Sequence, residues 1–174
     1  LFLTGCAIVR PHLDTRQETP IDWGLECSHT AAITVQPFVT SEPESKWGVY
    51  AAQRMQEYLL AAKAFQRVLV AESGPVMTPY VLTGEIDHMF YGGTFTPSKV
   101  YLTIRVINRR DGQTRFLRKG YAAAENRGLD LELLTRLYVS SPYPEELLNG
   151  LLKAAAKDIA QRTNATSHCQ SEQN

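Results

Sequence analysis

Apolar residues recur with two different periods between Ala31 and Arg162, and the switches between those periods divide the chain into elements. The run Ala31-Ala32-Ile33-Thr34-Val35-Gln36-Pro37-Phe38 reads as a strand that ends at proline, which has no N–H to give to a ladder. A polar loop with Ser41, Glu42, Pro43 and Ser45 follows. From Trp47 to Lys63, Ala52, Met55, Leu59 and Ala62 recur every three or four residues, the spacing of one buried helical stripe. Trp47 opens this helix as a staple into the core. Phe65 to Ala71 reads as a second strand. Strand, helix and strand in this order predict a βαβ unit with a right-handed crossover and parallel strands.

Ser73-Gly74-Pro75 and Thr78-Pro79 break the pattern before three further strands. Tyr80 to Tyr91 is the first of these, and Gly92-Gly93 with Pro97 makes a turn. Val100 to Asn108 is the next, Asp111-Gly112 is a hairpin signal, and Arg115 to Ala124 is the last. Leu102, Ile104 and Val106 share one face and should meet a helix. Tyr101, Thr103 and Arg105 share the other, which reads as solvated or interfacial. Glu145 to Arg162 is a helix with Leu147, Leu148, Leu151, Leu152, Ala155 and Ile159 on one side, Pro144 in its first turn and Glu145-Glu146 at the positive end of its dipole. The expected fold is α/β of the α+β kind, in the order β-α-β-β-β-β-α. Two helices cover one face of a five-stranded mixed sheet. Residues 30–163 make one globular domain.

Outside that domain the periods fail. Pro11, Pro20 and many polar residues make 6–29 read as a tether, with Ile21-Asp22-Trp23 docking locally, and 164–174 as a loose tail. Leu3-Thr4-Gly5-Cys6 resembles a bacterial lipobox, in which the thiol takes a diacylglycerol and the chain is cut before the cysteine. Residues 1–5 then read as a signal-peptide remnant. Each buried methylene of such chains contributes about 0.8 kcal/mol, and several chains together anchor stably. Ala7, rather than Asp, after the cysteine leans towards the outer membrane. Cys27 and Cys169 could pair in an oxidising periplasm, or stand as free or intermolecular thiols.

Bulk composition narrows the classes. Lys+Arg 18 balances Asp+Glu 18, so no basic field recruits nucleic acid, and none is expected as a partner. No apolar run approaches the roughly 20 residues of a membrane-spanning helix. His12, His29, His88 and His168 are scattered, and no metal site is expected from them. Hydrolase elbows, zinc-protease motifs, phosphate loops and C-x-x-C pairs do not occur, so neither an enzyme nor a cofactor beyond the lipid on Cys6 is expected. Glu85 and Asp87 point to one side of their strand. Paired carboxylates at roughly 5–9.5 Å can act on sugars, but cross-strand pairing with Arg105 and Arg115 is the more economical reading. Tyr91 beside Gly92-Gly93, and Tyr138 and Tyr143 around Ser140-Ser141-Pro142, lie near loops. Rings there can anchor a partner, stack on sugars, sit in a membrane interface or cover a sheet edge.

The run Ile33 to Phe38, the helix after it, Tyr80-Val81-Leu82-Thr83-Gly84-Glu85-Ile86, and the closing Val106-Ile107-Asn108-Arg109-Arg110-Asp111-Gly112 together resemble small envelope lipoproteins with a TolB N-terminal-like domain. That set includes PelC of polysaccharide export, the LpoB-type activators of peptidoglycan synthases and the curli secretion lipoproteins, with PelC nearest in size. The chain has no room for a curli-type barrel hairpin and no long Pro-rich LpoB-type linker. The resemblance implies a lipid-anchored oligomer on the periplasmic face of the outer membrane, in contact with itself, an envelope complex or polysaccharide. A binding subunit of a lipid or ABC transporter, or an activator of a cell-wall synthase, is the alternative it implies. It carries over no functional residue. Mass spectrometry of protein from native cells should find Cys6 acylated at a cleaved amino terminus; an uncleaved, unmodified terminus would remove the anchor.

Overall fold

Strands and helices follow one another in the order that the apolar periods set out, with additions at the edges of the sheet. The structure, a computed structural model, describes residues 12–17, 21–22, 24–25, 28–41, 46–71, 77–93, 96–125, 128–130, 136–138 and 143–165. Its elements are β1 (His12–Gln17), β2 (Ile21–Asp22), a 3-10 turn (Ser28–Thr30), β3 (Ala32–Val35), β4 (Val39–Thr40), α1 (Trp47–Ala61), β5 (Arg67–Val70), β6 (Tyr80–Phe90), β7 (Ser98–Asn108), β8 (Thr114–Glu125), β9 (Gly128–Asp130), β10 (Arg136–Tyr138) and α2 (Pro144–Thr163). The main sheet has the order β1-β8-β7-β6-β3-β5, with β2 also on β8 and β4 on β6. β3 runs parallel to β5 and β6, while β6, β7 and β8 form an antiparallel meander. β9 and β10 pair with each other, apart from the main sheet.

The core lies between one face of this sheet and the two helices. Val100, Leu102, Ile104 and Val106 alternate along β7 and are buried, as are Ile33 and Val35 on β3, Leu82 and Ile86 on β6, and Phe116 on β8. Against them stand Ala51, Ala52, Met55 and Leu59 of α1, and the complete expected stripe of α2 from Leu147 to Ile159. Each fully buried Leu, Ile or Met side chain contributes about 1.5–3 kcal/mol. α2 lies over β7 and β8, and α1 over β3 and β5.

Three features depart from the apolar pattern. His12–Gln17 is not a tether but an edge strand, in register with β8 from His12 opposite Glu125 to Gln17 opposite Gly120. Edge pairing needs only backbone groups, so a run whose one large apolar residue is Leu13 gives no period to read. The first strand breaks at Pro37 and resumes as β4. Across the gap the Gln36 N–H donates to the Leu82 carbonyl at 2.9 Å, and the Phe38 N–H to the Gly48 carbonyl at 3.0 Å. Third, α1 stops at Ala61 rather than Lys63. Lys63 takes a left-handed conformation (φ 52°), and Ala64 N–H reaches back to the Leu59 carbonyl at 3.0 Å, closing the helix end. Cys6, Cys27, Cys169 and residues 166–174 lie outside the described residues.

One charged pair is built into the helix-facing side. Arg118, almost fully buried under α2, donates to Asp158. Burial lowers the guanidinium's proton affinity, and the Asp158 carboxylate beside it offsets part of that.

Two glycines are required by geometry. Gly112 has φ 69° in the β7–β8 turn, where its N–H donates to the Asn108 carbonyl at 2.9 Å. Gly84 lies under the Phe38 ring, and a Cβ there would overlap the ring atoms. Gly112→Val should cost about 1 kcal/mol or more, and Gly84→Ala about 1–3 kcal/mol. Chemical denaturation checks both; an undiminished midpoint for Gly84→Ala would contradict the seat of the Phe38 ring.

Candidate functional site

The register brings several chain ends to one end of the sheet. β6 finishes at Phe90 opposite Lys99, β7 starts at Ser98 opposite Ala124, and β1 starts at His12 opposite Glu125. β4 runs parallel to β6 towards this same end, so α1 must begin there, and α2 begins there as well. The two helix starts and the end of β6 enclose a cleft of about 270 Å³, lined by Thr40, Ser41, Trp47, Ile86, His88, Met89, Tyr91 and Pro144.

Aromatic rings dominate the rim. Tyr91 and Tyr143 stack with centroids 5.1 Å apart and planes 11° apart. Both keep large exposed areas, 44% for Tyr91 and 65% for Tyr143. Trp47 meets Tyr50 edge-on at 5.5 Å and packs against the core, as a staple should. Tyr50 then ties the helices together. Its hydroxyl donates to Glu145 Oε1 at 2.6 Å and accepts from Asn149 Nδ2 at 2.9 Å. Below Tyr91, the Gly92 N–H donates to Ser98 Oγ at 3.1 Å and Thr96 Oγ1 donates to the Gly92 carbonyl at 2.9 Å, which closes the turn.

The sheet face away from the helices carries a second set of rings. The register shifts between Ile86 and His88, so His88 rather than Asp87 stands opposite Tyr101. The rings of His88 and Tyr101 lie 6.1 Å apart, those of Tyr101 and Tyr121 4.6 Å apart, and Phe90 stacks on His88 at 6.2 Å. Thr103 Oγ1 donates to Asp87 Oδ2 at 3.3 Å, which puts Asp87 on this face, next to Glu85 opposite Thr103.

The expected arginine pairing takes a different form. Arg115 pairs with Asp111 in its own hairpin, and Arg105 is exposed on the open face. Among the described residues neither Glu85 nor Asp87 makes an ion pair. Both carboxylates are exposed, and neither lines the cleft at Trp47 and Tyr91. Hydrogen bonding from the Gln113 N–H holds the Asp111 carboxyl below the usual range.

Of the expected surface tyrosines, the structure brings Tyr91 and Tyr143 together. Tyr138 is in β10, opposite Gly128. Sequence reasoning missed His88 and the linking role of Tyr50. Trp47 and Tyr50, three apart on one helix, carried a readable signal; the register shift that turns His88 outward did not. Among the described residues no cluster of His, Cys, Asp and Glu is placed to hold a metal, and no helix is long and apolar enough to cross a membrane.

These residues define a two-layer α+β domain, helices on one face and rings and carboxylates on the other. Structures of the PelC dodecamer from Paraburkholderia phytofirmans have this fold. One superposes with a TM-score of 0.63 at 14% identity over 88% of this chain and 99% of that one. Another, of a single-substitution variant of the same protein, gives 0.62 at 16% identity over 87% and 98%. Protein XCC0632 from Xanthomonas campestris is more distant, with a TM-score of 0.50 at 8% identity over 75% of this chain and 82% of that one. No protein-family model and no curated protein matches the sequence significantly.

Removing the Tyr50 hydroxyl leaves Glu145 and Asn149 short of a partner in a part-buried site. Tyr50→Phe should therefore destabilise by about 1–2 kcal/mol. Urea unfolding measures this, and an unchanged midpoint would show that the hydroxyl does not hold the two helix starts together.

Proposed function

We propose that this chain is a non-catalytic, lipid-anchored protein of the bacterial envelope. It assembles with copies of itself and serves polysaccharide export or another assembly of the outer membrane. The observation that carries this reading is the correspondence in fold with PelC, which extends over 98–99% of that chain. Those relatives are dodecamers. The lipobox at Leu3-Thr4-Gly5-Cys6 supports the anchor. The open position of Glu85 and Asp87 supports a role without catalysis, because carboxylates in acid–base work need a partner and a shielded substrate site.

The two layers are compatible with a head-to-tail assembly. Among the described residues the helices lie on one side and the open sheet face on the other, and a contact between two such unlike surfaces repeats head to tail, closing into a ring where its rotation allows.

Light scattering after size exclusion tests the assembly on the full chain with Cys6→Ser. The expected result is a discrete oligomer larger than a trimer. A strict monomer at high concentration would overturn self-association. In cells, loss of the gene should reduce exported polysaccharide, and the Glu85→Gln/Asp87→Asn variant should restore it fully. A defect in lipid transport or cell-wall synthesis, with export intact, would overturn the export role.

A further inference from the structure

We propose that the end of the sheet carrying Trp47, Tyr91 and Tyr143 is a membrane-docking surface, seated in the headgroup region of the bilayer. This rests on the reading that Cys6 is acylated, and it adds which end of the molecule meets the lipid.

The first argument is reach. Cys6 lies six positions before His12, and six extended residues span at most about 20 Å. His12 stands at the same end of the sheet as Phe90 and Ser98. Crossing from β1 over β8 and β7 to β6 takes three strand spacings, roughly 15 Å. The far end of the sheet lies beyond the length of β7, whose 11 residues extend about 36 Å. A lipid on Cys6 can therefore bring the aromatic end to the bilayer and cannot bring the opposite end.

The second argument is surface chemistry. Tyr and Trp combine an apolar ring with a hydrogen-bonding group, which is why such residues collect at the headgroup level. Tyr91 and Tyr143 are exposed as a stacked pair, Trp47 lines the cleft beside them, and Val49 is exposed in the first turn of α1. At the opposite end the β7–β8 turn presents Arg109, Arg110, Asp111 and Gly112 to solvent. Met77 is exposed near that end, but a lone apolar residue is ordinary on a protein surface. Lys46 and Glu146 are both exposed at the helix starts. With Lys99 opposite Phe90 and Glu145 beside Glu146, two positive and two negative charges balance there, so ring burial rather than attraction to anionic lipid drives the contact, and binding should survive salt.

The test uses the full chain with Cys6→Ser, which cannot be acylated, and Trp23→Phe, which leaves Trp47 as the single tryptophan of the two present. Vesicles of phosphatidylethanolamine with phosphatidylglycerol carry brominated acyl chains. The expected result is quenching of Trp47 emission that persists in high salt. Tyr91→Ser/Tyr143→Ser should weaken partitioning about tenfold, Val49→Asp should weaken it as well, and Leu69→Ser, exposed on β5, should leave it unchanged. Circular dichroism melts confirm that each variant is folded. No quenching, or quenching that both the tyrosine and Val49 variants leave intact, would overturn the proposal. So would tyrosine substitutions that dissolve the oligomer while vesicles go unbound, since this end would then be a contact between copies. Finding the lipid on native Cys6 with no quenching removes only the docking surface. Finding no lipid there removes the anchor itself.

Discussion

Each helix has a single apolar stripe, and both stripes are pressed against the same side of one sheet. The rest of the molecule depends on that constraint. Because Leu148, Leu152 and Ile159 of α2 and Met55 and Leu59 of α1 are fully buried on that side, neither of the two helices among the described residues covers the other. The uncovered side therefore carries polar and ring-bearing residues, Glu85, Asp87, Tyr101 and Thr103 among them. The Arg118–Asp158 pair, with the arginine buried and the aspartate partly exposed, ties α2 to β8 on the helical side. Losing either partner would leave a charge there without its counter-ion.

Connectivity then decides where chemistry can gather. A strand parallel to its neighbour must be followed by a return across the molecule, so α1 starts where β4 ends and runs back to β5. α2 is held alongside α1 by Tyr50, Glu145 and Asn149, and its start falls at the same end. The result is asymmetric along the strands. One end collects the helix starts, the Gly92-Gly93 turn, the stacked tyrosines and the entry of the N-terminal chain. The other collects the charged Asp111-Gly112 turn and the helix ends.

Much of this was legible in the residues, and the limits are physical. The alternation in β7 and the stripe in α2 place nearly every residue they name, because burial on one side imposes a period that composition cannot hide. β1 was not legible, since an edge strand joined through its backbone leaves no such imprint. The short pair β9 and β10 is three residues a side, too brief to show a period. At the site, the shared face of Glu85 and Asp87 follows from alternation alone. The meeting of Tyr91 with Tyr143 does not, because it depends on where α2 is seated. The outward turn of His88 depends on one extra residue in β6, which leaves no trace in a hydrophobic pattern.

The β6–β7–β8 meander is joined by short turns, whereas β3 finds its place beside β6 only after α1 and β5 have been laid down between them. Local pairings form with little loss of chain freedom, and distant ones wait. The meander is thus the most local part of the sheet, while β1 and the parallel strands join it across longer stretches of chain. A chain crossing a membrane amino end first would have its latest-pairing segments emerge earliest, and these must be kept from aggregation until the rest arrives.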